Sequence, residues 1–316
     1  MSADDDTASC ITTVCASCGI AEIDVTKLKE CDNCDLVRYC GDECKKNHKS
    51  QHEEDCQKRA AELREELLFK QPESSHHGDC QLCCLPLPLV MKKFSIYDCC
   101  SKRVCDGCGY ANIIREIEMR LGRSCPFCRE PLPKTKEETV KLAMKRVEAN
   151  DPFALCQEGV KQYSKGEYSK AFEYWTKAAE LGDLEAHYKL ACLYHWGHGV
   201  EKNAGKEIFH FEEAAIGGHP SARYVLGWHE NKNGSKDRAV KHWIISATQG
   251  YNESIKALMD TFKEGFVEKD VLAVALRAHQ AAADAMKSPE REAAERYFGS
   301  ESRNFCPSTR NIKMRF

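Results

Sequence analysis

Long apolar runs are missing from this chain: nowhere in its 316 residues is there a stretch approaching the roughly 20 apolar side chains that a membrane helix needs. No membrane partner is expected. A surplus of positive charge is missing too, since 46 Lys and Arg stand against 49 Asp and Glu for a formal net charge of −3. That balance gives no field of the kind that drives phosphate-backbone binding, so nucleic acid is not an expected partner. The opening MSADDDTASC is acidic with no apolar segment behind it, and the sequence reads as intracellular, cytoplasmic or nuclear. Cysteine is scarce after residue 130, where only Cys156, Cys192 and Cys306 remain.

Before residue 130 cysteine is abundant, with seventeen of the chain's twenty. Five C-x-x-C pairs stand out: Cys15/Cys18, Cys31/Cys34, Cys80/Cys83, Cys105/Cys108 and Cys125/Cys128. Two residues between thiolates let both sulfurs reach one ion at a tight turn, which favours zinc over disulfides. A reducing compartment argues the same way. A thioredoxin-like redox motif needs one such pair opening a helix after a strand, and five in tandem do not fit it.

The first ligand run is Cys15, Cys18, Cys31, Cys34, Cys40, Cys44, His52 and Cys56, eight ligands for two tetrahedral ions. A segment this short builds little apolar core, so metal must supply most of its folding free energy, on the order of 10 kcal/mol or more per site. With Tyr39 before the fifth ligand and a helical stretch carrying the last three, residues 15–56 resemble a MYND-type zinc finger. The resemblance implies interleaved ligation: Cys15, Cys18, Cys40 and Cys44 on one ion, Cys31, Cys34, His52 and Cys56 on the other. It also implies structural zinc and recognition of proline-containing peptides or other proteins. His48, four residues after Cys44, reads as a surface helix residue, and Cys10 as a free thiol in an acidic tail spanning 1–14.

A polar, helix-prone linker, 57–79, leads to a second cysteine-rich stretch, 80–130, whose order resembles a RING finger. By that likeness Cys80, Cys83, Cys105 and Cys108 hold one ion, and Cys125 and Cys128 belong to a second. Lys102 stands where the usual pattern has histidine, and a protonated lysine has no lone pair to offer. Cys99 and Cys100 together are the preferred completion, with His76, His77 or Cys84 as alternatives, or an empty second site. Between Cys108 and Cys125, residues Tyr110, Ile113, Ile114, Ile117 and Leu121 recur at helical intervals and predict an apolar stripe packed between the metal sites. In RING ubiquitin ligases a conjugating enzyme rests on positions that here hold Leu82 and Pro126, and Arg129 matches a donor-ubiquitin contact. No catalytic residue is assigned, because a RING acts by holding its charged partner in a reactive geometry.

Past a second linker, 131–150, a repeat appears. Phe172, Trp175, Ala178, Ala179 and Gly182 recur as Ile208, Phe211, Ala214, Ala215 and Gly218, then as Val240, Trp243, Ser246, Ala247 and Gly250. A degraded copy runs through Val274, Arg277, Gln280, Ala281 and Asp284, and the partner helices beginning at Ala186 and Ala222 are also 36 residues apart. With Gly197, His198, Gly199 and Val200 between helices, residues 151–298 resemble Sel1-like repeats, relatives of the tetratricopeptide class, and a tail, 299–316, is basic. Such units stack into a solenoid whose concave side binds ligands. His187, His195, His198, His210, His219, His229 and His242 are scattered enough to read as surface or groove residues.

The expected architecture is multidomain: two small zinc-stabilised fingers, MYND and RING-like, followed by an all-α helical-repeat solenoid. Two ions are expected in each finger. The expected function is a protein-interaction adaptor binding proteins or short peptides, with a RING-type ubiquitin ligase as the alternative. A SET-domain methyltransferase is excluded, because the repeats occupy the only space for that domain.

Overall fold

The computed structural model describes residues 14–20 and 27–299; Cys10, Cys306 and nearly all of both expected tails fall outside them. The chain divides into two compact units, 1–70 and 71–316.

In the first unit, β1 (Lys29–Glu30) pairs antiparallel with β2 (Arg38–Tyr39). A 28-residue helix, α1 (Asp42–Phe69), follows, with Asp42 and Glu43 in its first turn, where the helix dipole favours negative charge. Its sequence is polar on every side, so packing alone does not hold it. Cys44, His52 and Cys56 anchor its first half to the ligand clusters. Arg59 anchors the second half, forking onto Asp35 at 2.7 and 2.9 Å and reaching Glu66 at 3.1 Å. The expected linker helix is therefore the finger's own helix continued to Phe69, without a break at residue 57.

The second unit opens with a non-helical strap that runs along the repeat array. His76 N–H donates to Gly218 O at 3.0 Å, and Thr248 Oγ1 donates to Gln71 Oε1 at 2.8 Å. The hairpin of β3 (Phe94–Tyr97) and β4 (Lys102–Cys105) comes next, with Phe94 opposite Cys105 and Tyr97 opposite Lys102, and leads into α2 (Asp106–Glu118). Residues 131–150, expected as linker, hold a helix, α3 (Lys136–Glu148). Thr135 Oγ1 caps it by accepting from Glu138 N–H at 3.1 Å, while the Glu138 carboxylate accepts from Lys134 N–H at 2.7 Å.

The array proper comprises α4 (Pro152–Ser164), α5 (Tyr168–Glu180), α6 (Leu184–Trp196), α7 (Ala204–Ile216), α8 (Pro220–Lys232), α9 (Lys236–Thr248), α10 (Asn252–Lys263) and α11 (Lys269–Ala285). It is the all-helical repeat solenoid expected from the periodicity. The recurring glycines Gly182, Gly218 and Gly250 have φ of 85°, 90° and 86°, a left-handed conformation that ends each helix and turns the chain into its partner. Trp175, Phe211 and Trp243 fill the layers between helices. Trp175 Nε1–H donates to Cys156 O at 3.0 Å, and Trp243 Nε1–H to Tyr224 O at 3.2 Å. Those rings fit because the facing helices carry Gly159 and Gly227; a Cβ at either would lie 2.5 Å from an indole nitrogen. Cys156 and Cys192 are fully buried packing residues.

The array was expected to continue to residue 298, but its last helix, α12 (Pro289–Gly299), packs on α2 of the second finger instead. Tyr110 of α2 meets Tyr297 at a ring-centroid distance of 5.0 Å. Gly107 lets the two backbones approach, since a Cβ there would sit 2.8 Å from Arg291 N.

Gly227→Ala should overpack the Trp243 layer. A loss of about 1–3 kcal/mol is expected, read as a lower denaturant midpoint in chemical unfolding followed by tryptophan fluorescence.

Candidate metal centres

Three of the C-x-x-C turns, those beginning at Cys15, Cys80 and Cys125, use the same backbone device. Cys15 N–H donates to Ile20 O at 2.8 Å, Cys80 N–H to Leu85 O at 2.9 Å, and Cys125 N–H to Glu130 O at 2.8 Å. The residue after the second cysteine is left-handed in all three turns: Gly19 at φ 73°, Cys84 at 55° and Arg129 at 65°. Glycine fits that position without strain, whereas Cys84 and Arg129 sit there at a cost of roughly 1 kcal/mol each. Both side chains are exposed. Cys84, considered as a spare ligand, is thus a turn residue.

In the first unit, Cys15, Cys18, Cys40 and Cys44 form one cluster and Cys31, Cys34, His52 and Cys56 another, with the ligand atoms of each within 4.8 Å of one another. Sulfur separations are 3.6 Å for Cys18–Cys40, 3.5 Å for Cys40–Cys44 and 3.7 Å for Cys31–Cys56. A zinc–sulfur bond of about 2.3 Å gives a tetrahedral edge of about 3.8 Å, close to these values. His52 points Nε2 at Cys34 Sγ, 3.1 Å away. His48 is no ligand: its Nδ1 lies 3.1 Å from the Tyr39 hydroxyl, and its ring stacks on His52.

The second unit repeats the interleaving. Cys80, Cys83, Cys105 and Cys108 gather in one cluster, and Cys99, Cys100, Cys125 and Cys128 in the other. The hairpin links them, because β4 ends on Cys105 of the first cluster while the turn between its strands carries Cys99 and Cys100 of the second. Cys100 N–H and Ser101 N–H both donate to Tyr97 O, at 3.1 and 2.7 Å, and Ser101 is left-handed at φ 54°. That sharp turn aims adjacent cysteines at one point: Cys99–Cys100 is 3.9 Å, Cys100–Cys125 3.8 Å and Cys99–Cys128 3.4 Å. Lys102 goes elsewhere, with its ammonium 5.4 Å from the centre of the Phe127 ring.

Crowded thiols oppose one another's ionisation. A hydrogen bond from Cys105 holds Cys80 down at about 4, while burial pushes Cys108 up to about 12. Hydrogen bonding to Cys44, to which Cys40 donates, and to Cys18 likewise leaves Cys40 raised to about 12. A dication eases the conflict by bonding all four sulfurs in their ionised form at once, offsetting half of their combined charge.

The apolar stripe expected on α2 is not packed between the metal sites. Ile117 and Leu121 are exposed, Tyr110 and Ile114 face α12, and the position turned towards the second cluster is Glu116. Its buried carboxylate accepts from Ser124 N–H and Oγ–H, each at 2.9 Å, and fixes the approach to Cys125. Periodicity located the helix but not which face met the finger. Of the positions matched to a conjugating-enzyme contact, Leu82 and Arg129 are exposed, and Pro126 is buried.

The strap histidines, considered as ligands for the second cluster, turn towards the repeats. His77 packs edge-on against Phe94, and His76 stacks on His219 at 4.0 Å between ring centres. His76, Glu185 and His219 form a further group close enough to hold a metal. Two contacts assign it otherwise: Lys189 Nζ lies 2.8 Å from Glu185, and His219 Nδ1 caps α8 by accepting from Ala222 N–H at 3.2 Å. The capped ring keeps its proton on Nε2 and donates it to Glu185 Oε2 at 3.0 Å. The group is a buried ion-pair network fastening the strap. Burial drives His76 far below the ordinary histidine value, so it stays neutral there. His219 and His242 are buried rather than surface residues.

Arg291 of α12 also reaches the finger. Its guanidinium donates to Pro86 O at 2.8 Å and Leu85 O at 3.3 Å and lies 3.7 Å from Cys83 Sγ. No sequence spacing signals a contact across 208 residues.

Residues 15–56 match the MYND finger family model, and residues 155–183 and 184–219 match the Sel1 repeat model. The first finger is of the MYND type, and the helical array is built of Sel1 repeats. A stretch of 56 residues is 39% identical to HcpC of Helicobacter pylori strain J99, which carries a provisional beta-lactamase name; the match spans 18% of this chain and 19% of HcpC. Among solved structures, the chain is similar to a Sel1 repeat protein from Oxalobacter formigenes, at 23% identity and a TM-score of 0.40, covering 51% of this chain and 66% of that one. A protective antigen with an SLR fold from uropathogenic Escherichia coli matches at 22% identity and a TM-score of 0.37, covering 55% and 38%. No helix among the described residues is long and apolar enough to cross a membrane.

Native mass spectrometry of the zinc-loaded protein should show the metal count fall by one in Cys99→Ser, with the first cluster of the same finger retained. An unchanged count would remove Cys99 from the ligand set.

Proposed function

We propose that this chain is a zinc-dependent protein-interaction adaptor. The observation that carries the proposal is ligand saturation: four clusters each assemble four soft ligands, the closed arrangement of structural zinc rather than the open one of a hydrolytic site. MYND fingers and Sel1 repeats are both interaction modules, and the metal's role in such a chain is to hold surfaces in shape. On the MYND finger, Val14, Ile20 and Leu36 remain exposed around the metal-held backbone. They offer apolar contacts to a short proline-containing peptide, the partner class the finger type implies.

A second reading, a RING-type ubiquitin ligase, rests on residues 80–130, with Leu82 and Phe127 exposed on the two knuckles. The cross-linked order of its ligands supports that likeness, and the burial of Pro126 weakens it. In that reading the knuckles receive a ubiquitin-conjugating enzyme, and the MYND finger or the repeats select the substrate.

One pair of assays separates the two readings. Full-length protein screened against proline-containing peptides should bind at least one, and Leu36→Asp should weaken that binding about tenfold with zinc content unchanged. In ubiquitin-chain assays across a panel of conjugating enzymes, the adaptor reading expects silence. Chain formation abolished by Leu82→Ala would establish the ligase instead.

A further inference from the structure

The repeat register has a charged exception in its buried layer. Four residues before each large core residue stands a fully buried alanine, Ala171 before Trp175 and Ala239 before Trp243; before Phe211 the position holds Glu207. A carboxylate in place of a core methyl is costly unless something charged or strongly polar meets it. Two imidazoles do, one from each neighbouring helix. His195 Nδ1, at the end of α6, lies 2.8 Å from Glu207 Oε1, and His229 Nε2, late in α8, lies 3.0 Å from the same oxygen. Among the described residues no lysine or arginine pairs with this carboxylate.

We propose that Glu207, His195 and His229 form a fifth metal site, for a divalent first-row transition ion such as zinc, on the repeat array and separate from the fingers. Two imidazole nitrogens and a carboxylate oxygen suit such an ion, and three protein ligands leave further positions for water. A tetrahedral ion about 2.1 Å from each ligand sets an edge of about 3.4 Å, so the nitrogen–oxygen separations of 2.8 and 3.0 Å need to widen by only a few tenths of an ångström to admit it. The three ligands come from three successive packed helices, so the geometry is set before metal arrives. Glu207 is 7% exposed at its side chain and both histidines are 31% exposed, which seats the carboxylate in the core and leaves the imidazoles an entry path. Ligation requires each ring to carry its proton on the nitrogen away from Glu207, Nε2 of His195 and Nδ1 of His229. The contrast with Glu185 is direct: there Lys189 occupies the carboxylate and a helix cap fixes the His219 tautomer against a metal.

The test starts from full-length protein with its fingers zinc-loaded and free metal removed, then titrated with zinc chloride by calorimetry and native mass spectrometry. One further equivalent of zinc should bind. Glu207→Ala should abolish that equivalent while leaving thermal stability intact, since alanine is the residue the repeat carries at this position elsewhere. His195→Ala, at the open edge, should weaken binding at least about tenfold, as loss of one of three ligands demands. Failure of the native protein to take up an additional ion would overturn the site, as would an additional ion retained by both variants.

Discussion

The fingers depend on one electrostatic fact: three or four thiolate sulfurs cannot share a space less than 5 Å across and stay charged without a cation among them. Protons satisfy the cluster only unevenly, leaving one sulfur ionised and its neighbours pushed far from ionisation, as Cys80 and Cys108 show. Zinc satisfies all four equally and fixes their separations near the tetrahedral edge. In the first unit little else is available. Its strands are two residues each and most of its helix is polar, so loop, strand pair and helix converge chiefly through their cysteines and His52, with the Arg59–Asp35 pair holding the helix beyond them.

The second finger faces the same constraint with more support. Its hairpin spans both clusters, Glu116 braces the approach to Cys125, and Arg291 brings a positive charge beside Cys83 from the far end of the chain. The strap, α12 and Arg146 of α3, which donates to Ser101 Oγ at 3.3 Å, therefore make residues 80–130 part of the repeat unit.

Legibility followed the length of the interactions. The cysteine and histidine groupings were readable because coordination imposes spacing, and even Cys99 and Cys100, reached by eliminating Lys102, gather with Cys125 and Cys128. The helix pairs were readable because the solenoid repeats its own register, with glycine wherever a helix must end in a left-handed residue. What could not be read was which face a single helix turns towards an unrelated partner. The stripe on α2 was real as a pattern, yet half of it meets α12, an element 170 residues away in sequence whose packing no local periodicity encodes. Cys84 and Arg129 show another limit, since their residue types suggested chemistry while their backbone positions belong to turn geometry.

The same repetition that made the array legible also exposes its departures. An ideal repeat has no reason to exchange Ala171 or Ala239 for a carboxylate, because the helices pack through that position and a methyl group fills it. Among the described residues Glu207 gains no lysine or arginine for the substitution; what it meets are histidines from the helices before and after it, at positions where the other repeats carry Tyr163, Asn231, Leu193 and Lys161. Three coordinated exceptions within one layer need a common cause. A hydrogen-bonded trio would compensate the buried charge and return the layer to where alanine already left it. A bound cation gives the exchange a consequence that alanine lacks, an inter-repeat cross-link whose strength follows the supply of metal.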